Sequence, residues 1–284
     1  MLISIITINF NDVEGLKKTM TSVFNQTFSN IEYIIIDGGS TDGSKEYIET
    51  NKDSLAYWVS EPDSGIYNAM NKGIAASNGN YLLFLNSGDT LHSKTILAEV
   101  NKHFSGNKDI YYGNIMLCKN GKEKIDIYPN TLSISFLYRK SLPHPASFIK
   151  RSLFDKVSLY NEKLMLVSDW EFFMCAILKY SATTEHIDII VSDFDLNGMS
   201  NNFSHRNIMD NERKIVMETH FPLIYELLEN FNKKEKLLSN NRFKMLSELE
   251  KTTAAQKLNS LWLRCLLLIL KGKTLKNLKN KEWF

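Results

Sequence analysis

The sequence is poor in the residues that mark stapled, fibrous or membrane-spanning proteins. Only three cysteines occur in 284 residues, Cys118, Cys175 and Cys265, scattered and without a C-x-x-C pair. They define neither a disulfide framework nor a zinc site, which points to a reducing compartment. Five prolines and thirteen glycines are too few for a collagen-like or low-complexity chain. Neither sign of charge dominates: 34 basic residues against 32 acidic leave a formal net charge of +2. That balance argues against nucleic-acid binding through overall charge. The apolar run at residues 265–270 is far short of the roughly 20 residues that cross a bilayer. Met1 leads straight into a strand-like run, without the basic region and cleavage site of a secretory signal. The expected place is the cytoplasm or the inner face of a membrane.

What is present is an alternation of two hydrophobic rhythms. Residues 3–8 form a β-branched run of the kind buried on both faces of a sheet. Residues 14–26 follow with Leu16, Met20, Val23 and Phe24 at helical spacing. Strands are expected again at 32–36, 56–59 and 81–85, with helices at 45–50 and 66–76 between them. Strands alternating with helices through short connections imply a parallel sheet covered on both faces. In such sheets ligands sit at the carboxyl ends of the strands. Those ends carry Asn9, Asp37, Glu61 with Asp63, and Asn86 with Asp89. Beyond residue 110 the pattern becomes α+β: a hairpin over 111–117 and 123–128 about Asn120-Gly121, helices near 133–140 and 169–180, and a strand at 187–191. No linker-like segment divides this half from the first, so residues 1–203 read as one domain. Residues 204–284 read as a helical extension, with candidate helices at 208–220, 223–232 and 233–271.

Four segments in order carry a resemblance: 3–11, the Asp37-Gly38-Gly39-Ser40-Thr41-Asp42-Gly43 turn, Gly65-x-x-x-Ala69-x-Asn71-x-Gly73, and Leu85-Asn86-Ser87-Gly88-Asp89. Together they resemble the family 2 glycosyltransferases of the GT-A fold over about residues 1–200. The resemblance implies a Rossmann-like mixed α/β sheet flanked by helices, a nucleotide-diphosphate sugar as donor, and inversion at the transferred carbon. It further implies that Asp37 holds a uracil ring, with Thr7, Asn9 and Phe10 close by, and that Asp63 and Asn71 lie along the ribose and diphosphate. Asn86-Ser87-Gly88-Asp89 stands where the family has an acidic D-x-D-like motif. Asp89 is then the ligand of Mn²⁺ or Mg²⁺, and Asn86 and Ser87 are donor contacts. Asn86 and Gly88 depart from the fuller pattern, since each takes the place of a possible carboxylate. The resemblance also places the base that deprotonates the acceptor at Asp169, with Trp170, Glu171 and His144 about the sugar and acceptor pocket.

The residues themselves also allow plainer roles. Thr41, Asp42, Asp63 and Ser64 can cap helices, and Asp37 can make a turn hydrogen bond. Ser168 and Glu171 have the spacing of a capping box. The end of the chain is apolar over 258–270 and is followed by Lys271, Lys273, Lys276, Lys279 and Lys281. That pattern suits an anionic membrane surface, or a terminal helix packed on the core or on a second subunit. Leucines and aromatics between Leu223 and Leu249 suit either a dimer seam or an internal helix pair. The expected activity is metal-assisted transfer of a sugar, from a UDP-sugar by expectation, to a saccharide or lipid-linked acceptor in surface polysaccharide synthesis. The competing expectation is a non-catalytic sugar-nucleotide binding or scaffold protein. A nucleotidyltransferase lacks support, because residues 7–12 have no Gly-rich basic loop. A dehydrogenase lacks it too, because Gly38-Gly39-x-x-x-Gly43 is not G-x-G-x-x-G.

Overall fold

Seven residues, Ile3–Asn9, form strand β1, and all seven are buried. Such a strand needs hydrogen-bonding neighbours on both edges and apolar cover on both faces. Parallel partners β2 (Ile31–Asp37) and β4 (Tyr81–Phe84) supply the edges. Helix α1 (Val13–Phe24) contributes Leu16, Met20 and Val23 to the cover, and α3 (Ile66–Ala76) contributes Tyr67, Met70 and Ile74. Each buried isoleucine of β1 contributes on the order of 1.5–3 kcal/mol.

This computed structural model describes residues 1–196, 205–238 and 253–271, with a few isolated positions between the last two. The chain divides into two compact units, Met1–His220 and Phe221–Phe284. The division falls later than residue 203, because α8 (Arg206–His220) packs on α7 (Ser168–Leu178) and so belongs to the first unit.

Among the described residues the first unit holds a nine-stranded mixed sheet of order β3-β2-β1-β4-β8-β6-β9-β5, with β7 paired to β6. Strand β3 (Tyr57–Ser60) extends the parallel half beyond β2. Antiparallel β8 (Ser147–Lys150) joins β4 to β6 (Ile110–Lys119), and β9 (Thr184–Asp195) runs parallel to β6. The two-residue β5 (Thr90–Leu91) closes the far edge on β9. The hairpin of β6 with β7 (Lys122–Asp126) turns on Asn120 and Gly121, both at positive φ, as their dipeptide predicts. Helices α2 (Ser44–Thr50), α4 (Ile96–Asn101), α5 (Ile134–Arg139) and α6 (Arg151–Lys156) complete the layers.

The second unit holds α9 (Pro222–Leu238) and α10 (Thr253–Lys271). The expected continuous helix over 233–271 includes residues outside the described set, as do the lysines from 273 onward. No described helix is long and apolar enough to cross a membrane.

Candidate active site

Strand register sets the floor of the site. Asn9 lies opposite Asp37, and Asp37 opposite Ser60, so three polar residues stand abreast at the carboxyl edge of β1, β2 and β3. Asp37 is fully buried and accepts from Asn9 Nδ2 (2.7 Å), Ser40 Oγ (2.6 Å), Ser60 Oγ (2.6 Å) and the Ser40 amide (3.0 Å). Burial pushes its pKa up, but hydrogen bonds from Ser40, Ser60 and Asn9 outweigh this and hold it below the usual carboxylate value. Both Asp37 oxygens are engaged by protein donors, so the side chain expected to meet a nucleobase also ties the strand ends together. Thr7 is likewise enclosed, donating to the Leu85 carbonyl (2.7 Å) and paired with the Tyr33 hydroxyl (3.0 Å) beneath the edge.

Above this floor opens a cleft of about 410 Å³, lined by Asn9, Phe10, Asp63, Asn86, Ser87 and Asp89 among others. Phe10 is 68% exposed, an aromatic face offered to the cleft. Gly38 keeps the neighbouring space open: a Cβ there would lie 3.1 Å from the Phe10 ring and 3.2 Å from Asp63 Oδ2. The other Asp63 oxygen is held by Lys72 Nζ at 2.6 Å, and Lys72 also pairs with Glu61 at 2.7 Å. Asn9 uses its carbonyl oxygen to accept from Ser87 Oγ (2.8 Å), so one side chain couples three strand ends.

Three further aspartates line the cleft. Asp89 accepts the Asp195 amide at 3.0 Å, and Asp195 and Asp12 line the same cleft. A Cβ at Gly88 would stand 3.5 Å from Asp195 Oδ2 and 3.9 Å from Asp12 Oδ2. Burial pushes Asp89 up to about 8, against the opposing hydrogen bond from the Asp195 amide. Asn86 Oδ1 is buried with no hydrogen-bond partner. These are hard oxygen donors of the kind Mg²⁺ and Mn²⁺ prefer. Among the described residues no three His, Cys, Asp or Glu side chains lie close enough to hold an ion by themselves. The donor set therefore fits a cation that takes its remaining ligands from phosphate and water.

Asp169 opens α7 and is tied to α3 by the Tyr67 hydroxyl, which donates to its Oδ1 at 2.8 Å. Tyr67 is buried beside Ile66, a residue of the cleft wall. Several neighbours named by the sequence are engaged by other protein groups. Asn71 is spent on the 160–162 segment, exchanging hydrogen bonds with the Tyr160 backbone (2.9 and 3.0 Å) and donating to Glu162 (2.8 Å). His144 stacks on Phe84 with centroids 4.7 Å apart and pairs with the Tyr160 hydroxyl at 2.8 Å. Burial lowers its pKa, with a smaller opposing pull from the Asp169 charge. Trp170 is 1% exposed and donates to the Leu137 carbonyl, with Arg213 over its ring, so it packs the core and cannot line a sugar pocket. Glu171 pairs with His220 at 2.9 Å. The expected capping box does not form: α7 starts with Val167 as its uncapped N-cap, and Ser168 Oγ accepts the Asn161 amide instead.

Three contributors escaped the sequence. Asp195, at the end of β9, reaches Asp89 across a separation of 106 residues. Tyr67 sits inside a recognised segment, yet its helical position reads as core. Glu212 of α8 is buried and accepts the Met165 and Leu166 amides at 2.6 and 3.0 Å, which clamps the loop leading into α7. Only its placement among apolar positions of a helix hinted at a special role.

Comparison with known proteins agrees with this architecture. Residues 4–165 match Glycosyl transferase family 2. An uncharacterized glycosyltransferase of Mycobacterium tuberculosis is 36% identical over 208 residues, 72% of this chain and 78% of its own length. A PGL/p-HBAD biosynthesis glycosyltransferase of Mycobacterium bovis is 25% identical, over 77% of this chain and 85% of its own. Among solved structures, S. aureus TarS 1-349 in complex with UDP superposes with a TM-score of 0.58 at 19% identity, over 69% of this chain and 60% of that one. Mannosyltransferase PcManGT of Pyrobaculum calidifontis, in complex with GDP-Man and Mn²⁺, gives 0.52 at 11% identity, over 92% and 87%. The fold is of the GT-A type. The chain belongs to glycosyl transferase family 2.

Proposed function

We propose that this chain is an inverting glycosyltransferase that moves a sugar from a UDP-sugar to a hydroxyl of a saccharide or lipid-linked acceptor. The observation that carries the donor assignment is one cleft lined together by the exposed Phe10 ring, Asp63 and Asp89. Phe10 offers a stacking surface for the base, Asp63 Oδ2 an acceptor for its N–H, and Asn86 Oδ1 an acceptor for a sugar or ribose hydroxyl. Structural relatives support the donor class: TarS structures hold UDP and UDP-GlcNAc. The M. bovis relative, a PGL/p-HBAD biosynthesis glycosyltransferase, supports a lipid-linked acceptor.

Asp169 takes the proton of the acceptor hydroxyl while that oxygen attacks the anomeric carbon. The bond from that carbon to the diphosphate oxygen breaks, and UDP departs with the electron pair from the opposite face. Tyr67 holds the base in place through its 2.8 Å hydrogen bond. Asp89, with Asp195 and Asp12 lining the same cleft, would hold Mn²⁺ or Mg²⁺. A bound cation there supplies Lewis-acid neutralisation of charge on the leaving diphosphate.

Calorimetric titration of UDP into wild type and Asp89→Ala, with and without Mn²⁺, tests the donor site. Binding that needs the metal and is lost in Asp89→Ala supports it. Tight binding indifferent to both removes the metal role and keeps the nucleotide pocket. Binding of UDP-sugars without any product favours the non-catalytic alternative.

A further inference from the structure

In the second unit, α10 exposes Leu258, Leu261 and Trp262, each by more than 60%, and Cys265 is exposed as well. Spacings of three, four and seven residues put these four on one helix face. Apolar side chains on a lone helix face are costly in water and need cover. The charge around them says what covers it. Residues 253–281 contain Lys257, Arg264 and five further lysines, and not one Asp or Glu. The preceding 252 residues are net acidic, with 27 basic against 31 acidic. Positive charge is thus concentrated on the segment that carries the bare apolar stripe.

Lys257 and Arg264 lie seven residues apart along the flank of that stripe. Together with Gln256, Ser260 and Leu261 they line a groove of about 350 Å³. Neither cation has a carboxylate partner among the described residues. A second copy of this helix would bring the same sign of charge against itself, which costs free energy at a symmetric contact. We propose that α10 docks on an anionic lipid surface, with Leu258, Leu261 and Trp262 in the acyl boundary and Lys257 and Arg264 on the phosphates of the head groups. Apolar insertion and cationic attraction act together in this mode, and each alone is weak. The proposal stands on the second unit alone and does not depend on the donor-site assignment.

Sedimentation of the full chain with vesicles tests it. Phosphatidylcholine vesicles should leave the protein in solution, and vesicles containing phosphatidylglycerol should carry it down, with release at high salt. Replacing Lys257 and Arg264 by Ala should weaken binding about 25-fold, taking roughly fivefold for each cation near the surface. Trp262→Asp should abolish binding without changing UDP affinity or the unfolding temperature. In wild type, brominated lipids should quench tryptophan emission, and Trp262→Phe should weaken that quenching. Equal binding to neutral vesicles, or none to anionic ones, overturns the proposal. So does a concentration-dependent dimer that ignores vesicles and is dissolved by Trp262→Asp, which would make a second copy the occupant.

Discussion

The phenol of Tyr67 donates to Asp169 Oδ1 at 2.8 Å, joining residues 102 positions apart. It fixes the rotamer of the carboxylate from a helix whose neighbouring residue walls the donor cleft. If Asp169 is the base, Asp169→Asn lowers kcat by about 10²–10⁴-fold, the range of general-base assistance. Tyr67→Phe keeps the ring and removes the hydrogen bond, so kcat should fall about tenfold with the donor KM unchanged. Steady-state kinetics on both variants checks this. A Tyr67→Phe enzyme with full kcat would separate the pair from catalysis.

Asp37 shows the other use of a buried carboxylate. Four donors converge on it, so Asp37→Asn replaces one acceptor oxygen by an NH₂ and faces donors with a donor. We expect a loss of about 2–4 kcal/mol in urea unfolding at neutral pH. Its folded pKa lies below the ordinary 3.8. The carboxylate's contribution is therefore fully present above about pH 4 and lost as pH falls through the folded value. The gap between wild type and Asp37→Asn should narrow below pH 4. A gap that is constant with pH would show that charge at Asp37 does not matter.

The parallel half of the sheet was legible because its strands are continuous apolar runs, and polar residues mark where each ends. The cleft residues Asn9, Phe10, Asp63, Asn86, Ser87 and Asp89 followed from that edge together with the family resemblance. What could not be read was which polar groups are already engaged. Asn71 and Asp37 look alike in sequence to ligand-binding residues, but their hydrogen bonds are filled by Tyr160, Ser40 and Ser60, partners that only tertiary structure supplies. Trp170 flanks Asp169, yet one helical step of about 100° turns it into the core. Strand β8 and helices α4 and α6 were missed because each is four to six residues long, too short for periodicity to show.

His144 makes acid sensitivity measurable. Burial holds its folded pKa below the ordinary 6.5. The unfolded chain therefore takes up a proton first, and stability drops as pH falls below about 6.5 toward the folded value. One such group adds a slope of at most about 1.4 kcal/mol per pH unit. His144→Gln should be less stable at pH 8, having lost the stack on Phe84, and should show a shallower decline between pH 7 and 5. Some slope remains, because burial also lowers His186. Urea midpoints across this range decide it, and an unchanged slope would place the titration elsewhere.

Two glycines separate binding from folding. Gly73 lies under β1, where a Cβ would come 2.4 Å from Ile6 Cγ2. Gly73→Ala must push apart α3 and the sheet, at a cost of about 1–3 kcal/mol. Gly38 sits at the cleft, and the tightest contacts of its Cβ would be with the Phe10 ring and Asp63 Oδ2 at 3.1 and 3.2 Å, the Asn9 carbonyl lying at an ordinary 3.6 Å. Phe10 is free to yield, so Gly38→Ala should fold normally. The methyl nevertheless occupies the space between the stacking face and the carboxylate that we assign to the base. UDP affinity should fall about tenfold or more, the scale of one misplaced methyl group in a fitted pocket. Thermal unfolding and calorimetry on the two variants give opposite patterns if the donor occupies this cleft: Gly73→Ala loses stability first, and Gly38→Ala loses binding alone. Undiminished UDP binding by Gly38→Ala would move the base away from Phe10 and Asp63.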